Sequence, residues 1–136
     1  MDQDHPELQQ AVEAIGVGDF QRSFSIVERL AEQGLALAQH FLGWHYHKGI
    51  GAGQSDDQAV AWWRKAAEKG IAESQQGLGW AYENGRGVAQ DYGEAYRWYS
   101  RAARAGDEEA RQGLFNLAEK LTPEQIRAIE EEEAGN

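Results

Sequence analysis

Apolar residues recur along this chain at helical spacing, in two nearly identical blocks. Ala59, Trp62, Trp63, Ala66, Ala67 and Gly70 fall at i, i+3, i+4, i+7, i+8 and i+11. That spacing places them on one stripe of an amphipathic helix. Ala95, Trp98, Tyr99, Ala102, Ala103 and Gly106 repeat the stripe. Before each lies a shorter helical pattern, Ala38, Phe41, Leu42, His45 and Tyr46 in one block and Ser74, Leu78, Ala81 and Tyr82 in the other. Each block therefore predicts helix, turn, helix.

The copies stand at one ungapped offset of 36 residues, the spacing of Gly34, Gly70 and Gly106. Leu42-Gly43-Trp44 matches Leu78-Gly79-Trp80, and Tyr46, Gly49 and Gly51 match Tyr82, Gly85 and Gly87. Such self-similarity marks a repeat architecture. Gly43 and Gly79 lie inside predicted helices, where glycine costs about 1 kcal/mol against alanine. The shared cost predicts a close approach by the partner helix. Gly70 and Gly106 stand where left-handed helix caps suit glycine.

Weaker copies extend outward. Upstream, Leu8, Ala11, Val12 and Ile15 share one side of a helix over about 7–15, and Ser23, Ile26, Val27, Leu30, Ala31 and Gly34 continue the second-helix stripe. Downstream, Ala110, Leu114, Leu117 and Ala118 start another pair. Thr122-Pro123-Glu124-Gln125 then reads as an N-cap, a proline at N1 and a capping-box partner, opening a helix with Ile126 and Ile129. The pattern predicts about eight helices.

The net charge of −10 and pI of about 4.8 argue against nucleic acid as the main ligand, since phosphate binding needs a basic face. They argue equally against an anionic membrane surface. Cysteine is absent, which removes disulfides, thiol nucleophiles and cysteine-ligated zinc. The start, MDQDHPELQQ, lacks the basic and apolar regions of a secretory leader, so a cytoplasmic setting is expected.

LGWAYENGRGVAQDYGEAYRWYSRAARAG resembles the Sel-one-like repeat, a relative of the tetratricopeptide repeat. Residues 72–106 follow that pattern almost throughout. In 36–70, Ala52 replaces the loop valine and Ser55 stands where Asp91 stands in the next copy. The resemblance implies an all-α fold, a right-handed α-solenoid of about four helix-turn-helix units. Residues 5–34 are read as a tetratricopeptide-like capping unit, 35–70 and 71–106 as repeats, and 107–136 as a partial repeat with a C-terminal cap, all one domain. The family implies a non-catalytic adaptor, often bacterial, holding a peptide or partner protein on its concave face. A cysteine-rich branch linked to penicillin binding is set aside, because its cysteines are missing here.

By the same analogy, Trp44 and Trp80 line the concave groove with His40, His47, Gln76 and Glu83. The alternative is that each tryptophan packs against a neighbouring repeat. No metal or other cofactor is expected. His40 and His47 lie seven residues apart, about 10 Å along a helix, and His45 falls in the apolar stripe as a hydrogen-bonded core or rim histidine. Gly49-Ile50-Gly51-Ala52-Gly53 follows no strand and precedes no Gly-Lys-Ser/Thr, so it reads as an inter-helix turn, not a phosphate loop. No nucleophile, base and orienter set is evident. Glu130 to Glu133 read as a fraying, solvated helix end, with a dock for a basic partner as the alternative, and Arg97, Arg101 and Arg104 as a solvated outer face, with a site for an acidic segment as the alternative. The chain is expected to be a monomer or weak homodimer. The competing readings are a subunit that self-associates through its end helices and an enzyme with an unrecognised site.

Overall fold

A computed structural model describes residues 5–135. The opening residues 1–4, on which part of the leader reading falls, lie outside that range. The described residues form eight helices and no strand: α1 (Pro6–Gly16), α2 (Phe20–Glu32), α3 (Ala36–Lys48), α4 (Asp56–Glu68), α5 (Ala72–Asn84), α6 (Tyr92–Arg104), α7 (Glu108–Leu117) and α8 (Pro123–Ala134). None is long and apolar enough to cross a membrane. The helices fall into two compact units, one ending at Ile71 and the other starting at Ala72.

Local chemistry sets the boundaries. The Ser55 side chain accepts from Gln58 N–H at 3.2 Å and opens α4, and Asp91 accepts from Glu94 N–H at 3.0 Å and opens α6. The residues that differ at this repeat position thus do one job, satisfying an orphan donor of the first turn. Asp19 and Asp107 cap α2 and α7 in the same way. Thr122 and Gln125 form the full capping box ahead of α8. At the other end of α4, Gly70 has φ +93° and Ile71 N–H donates to Ala66 O at 3.1 Å, a left-handed termination.

In the first unit, Leu8, Ala11, Val27, Leu30, Ala31, Ala38 and Leu42 form a buried cluster shared by α1, α2 and α3. Across α3 and α4, Gly43 faces the Trp63 ring so closely that a β-carbon would overlap Cδ1. Trp63 is 6% exposed, whereas Trp62 is only half-buried and carries Lys65 Nζ 4.7 Å from its ring centroid. Trp63, not Trp62, is therefore the deeply buried indole of this stripe. Val12 departs from the pattern too. It is 45% exposed, at the edge of the α1 stripe instead of in the core.

In the second unit the Tyr99 ring of α6 lies between two glycines. A β-carbon at Gly79 would sit 2.5 Å from Cδ1, and one at Gly113 would sit 2.7 Å from Cε2. The Tyr99 hydroxyl donates to Glu83 at 2.7 Å. Burial and this carboxylate push its pKa far above the usual tyrosine value.

The charged end of the chain differs from expectation. Glu130, Glu131 and Glu132 are exposed as expected, but Glu133 is buried, and the α6 arginines are not a free face. Arg101 donates two hydrogen bonds to Glu133, at 2.7 and 3.0 Å, and Arg104 adds a third at 3.2 Å. Arg97 pairs with Glu132, and the Tyr96 hydroxyl donates to Glu130 at 3.1 Å. Glu133 is only 4% exposed. Its hydrogen bonds from Arg101 hold its pKa below the usual carboxylate value, outweighing desolvation. Repulsion among four adjacent glutamates, and their conflict with the helix dipole, is offset by arginines about thirty residues earlier.

Candidate functional site

The residues expected to line a partner-binding face fall in two sets of three, one per unit. His40, Trp44 and His47 occupy i, i+4 and i+7 of α3, and Gln76, Trp80 and Glu83 occupy the same positions of α5. All six are half-buried. Each set shares one side of its helix, because i, i+4 and i+7 span two turns.

In the first unit, the Trp44 ring meets His45 edge-on at 5.1 Å, and His40 meets Phe41 at 5.5 Å. His47 leans on Trp63 at 5.3 Å, so it also braces the core. In the second unit, Arg86 lies 5.5 Å from the Trp80 ring centroid, a cation–π contact over a partly open indole. Glu83 is held by the Tyr99 hydroxyl, which makes it a bracing carboxylate as well as a surface one. Gln76 stands half-buried one turn before Trp80.

A cleft of about 330 Å³ lies between α1 and α3, and none of the six expected residues is among those that line it. Leu8, Val12, Leu37 and Phe41 supply its apolar walls, and Gln9 and Glu13 its polar ones. Sequence reasoning assigned Leu8, Val12 and Phe41 to core stripes and missed the cleft. One signal was available: Phe41 stands where the next repeat has Gly77, a bulky apolar side chain in place of none.

His45 is the deeply buried histidine of α3, at 0% exposure. Its Nδ1 lies 2.6 Å from Ile50 O, and its Nε2 lies 3.0 Å from Ser23 Oγ. A carbonyl only accepts, so Nδ1 carries the proton and Nε2 of the neutral ring accepts from the serine. The pair superficially matches a base and its nucleophile, but Ser23 is equally buried, and no substrate can reach it. Its role is to fasten the α3–α4 turn to α2. Burial lowers the His45 pKa below 6.5, against the opposing effect of the Ile50 carbonyl.

The stability contribution follows from that sign. With the folded pKa depressed, it is fully present above about pH 6.5 and is lost as pH falls towards the folded value. Urea melts should show stability falling by up to about 1.4 kcal/mol per pH unit below that point. The Ser23→Ala/His45→Ala variant, which installs the alanines found at Ala59 and Ala81, should flatten this slope. An unchanged slope would remove His45 as its source.

Paired helices repeating every 36 residues, with glycines admitting large aromatic rings, define a helical repeat protein. Sel1 repeats match residues 36–71 and 72–107, and the chain belongs to the Sel1 repeat family, whose members generally mediate protein–protein interaction. Among solved structures, a Sel1 repeat protein from Oxalobacter formigenes is 29% identical with a TM-score of 0.76, over 81% of this chain and 45% of its own. The protective antigen c5321 of uropathogenic Escherichia coli, which displays an SLR fold, is 33% identical with a TM-score of 0.73, over 76% of this chain and 23% of its own. Helicobacter pylori cysteine rich protein B shares the fold at 21% identity and a TM-score of 0.64, covering 76% of this chain and 89% of its own. The chain therefore spans less than half the length of the first two. No curated protein matches it in sequence.

Proposed function

We propose that this chain is a non-catalytic adaptor of the cytoplasm whose first-helix faces hold a peptide or partner protein. The observation that carries the reading is the apolar cleft between α1 and α3, with the half-buried Trp44 one helical turn beyond its Phe41 wall. Concave apolar surfaces with a few polar groups at the edge are where ligands settle. Partly open tryptophans are the side chains that dominate binding hot spots. On α5, Trp80 offers a matching platform between Gln76 and Glu83. Glu13 on the cleft wall and the net charge of −10 favour a partner whose apolar anchor is followed by lysine or arginine.

Panning a random peptide library on the immobilised chain tests this. Recovered peptides should share an aliphatic or aromatic anchor beside a basic residue. Phe41→Glu should weaken their binding at least about tenfold, with the helical circular dichroism signal kept. Peptides that bind the Phe41→Glu chain equally well would remove the cleft from the site. Phe115, 73% exposed on α7, favours a second reading in which copies associate through an end helix.

A further inference from the structure

The seat of α8 on α6 joins a cluster of charges to an apolar anchor. Arg97, Arg101 and Arg104 present three guanidinium groups over two turns of α6, and α8 answers with Glu132 and Glu133. Beneath the charges lies an apolar anchor: Ile129 is buried among Ala95, Tyr96, Tyr99 and Ala102 of α6, with Ile126 packed against the same cluster. The seam is also incompletely filled. A cleft of about 380 Å³ opens between α6, α7 and α8, walled in part by Tyr96, Arg104, Leu114 and Glu130. Within a chain of net charge −10, this stretch of α6 is a concentrated basic face.

We propose that this face of α6 is a docking surface for an acidic helix of another protein, and that α8 occupies it in cis as a displaceable latch. The occupant's chemistry is read from what already sits there: an aliphatic anchor followed within one turn by two or three carboxylates, as in Ile129-Glu130-Glu131-Glu132-Glu133. Arginine suits this role, because its planar fork takes carboxylates bidentately, as Arg101 takes Glu133. Displacement as a unit differs from deleting one partner. When α8 leaves, its glutamates return to water and the arginines pass to the incoming carboxylates, so no charge is stranded. Free α8 is also a poor helix, with four glutamates at the dipole end that disfavours them and no basic residue in its last turn. Undocking therefore couples to melting, which places α8 at the low-stability end of the unit.

The test uses the full chain carrying Glu130→Gln, Glu132→Gln and Glu133→Gln. The probe is a fluorescent synthetic peptide with the sequence of residues 122–136, read by anisotropy, with its own triple-glutamine form as control. Hydrogen exchange should find α8 unprotected in the variant while α5, α6 and α7 stay protected. The acidic peptide should bind the variant at least about tenfold more tightly than the wild-type chain, more weakly as salt rises, and not after a further Arg101→Ala. The control peptide should bind neither chain. The proposal is overturned by any of four results: equal binding to both chains, no binding to a variant whose α8 is released, continued protection of α8 in the variant, or loss of protection throughout α5–α7. A wild-type dimer abolished by the glutamine substitutions would assign the seat to a second copy and overturn it as well.

Discussion

Gly79→Leu is expected to destabilise the second unit by about 3 kcal/mol, the upper end of overpacking costs. The β-carbon alone would meet the Tyr99 ring at 2.5 Å from Cδ1. The ring has no room to retreat, because Gly113 holds its other edge and Glu83 holds its hydroxyl. Gly79→Ala should already show much of the loss. A double-mutant cycle with Tyr99→Ala isolates the cause, since removing the ring should make Gly79→Ala nearly neutral. Gly16 is the control, for among the described residues nothing outside its own helix backbone and chain neighbours lies within 4 Å of its β-carbon position, and Gly16→Ala should leave the urea midpoint almost unchanged. Equal effects at Gly16 and Gly79 would show that helix propensity, not the close contact, decides the outcome.

Trp63→Ala and Trp98→Ala are each expected to cost about 3–5 kcal/mol, the range for truncating a buried tryptophan. Both are buried, Trp63 at 6% and Trp98 at 7% exposure. Each also braces more than the core. His47 leans on Trp63, and the Arg101 guanidinium lies 4.6 Å from the Trp98 ring centroid while it binds Glu133. Trp98→Ala should therefore loosen α8 as well as cavitate α6. Trp62→Ala should cost less, about 1 kcal/mol, because its ring is half open and covered by Lys65. Thermal melts monitored at 222 nm rank the three. A larger loss at Trp62 than at Trp63 would contradict the packing described for the first unit.

The helices were legible in the sequence because burial imposes the 3.6-residue period directly on residue type. Their caps were legible for the same local reason, as the capping box at Thr122 and the left-handed turn at Gly70 show. The repeated interior glycine announced a close contact, although not that Tyr99 and Trp63 fill it. Which residue sits at the centre of an apolar stripe was harder. Trp62 and Trp63 both lie on it, and only the rotation of α4 against α3 buries one more than the other. Val12 failed likewise, as an edge position whose neighbour across the cleft is Phe41. Least legible were the charges. Arg101 and Glu133 are 32 residues apart, and nothing periodic links an arginine stripe on one helix to a glutamate run on another. Each alone looks like a solvated face.

If the first-helix faces bind a partner, truncating their tryptophans should remove that binding without unfolding the chain. Trp44 and Trp80 are half-buried, with ring surface left open, whereas Trp63 and Trp98 are enclosed. The measurement pairs a thermal melt with a titration of a panned peptide, for Trp44→Ala and Trp80→Ala beside Trp63→Ala and Trp98→Ala. Binding at these faces predicts that at least one of the first two melts within a few degrees of the wild type, a cost of about 1 kcal/mol or less, yet loses at least about tenfold in affinity. Melting losses in both equal to those of Trp63→Ala and Trp98→Ala, or unchanged affinity in both, would contradict it.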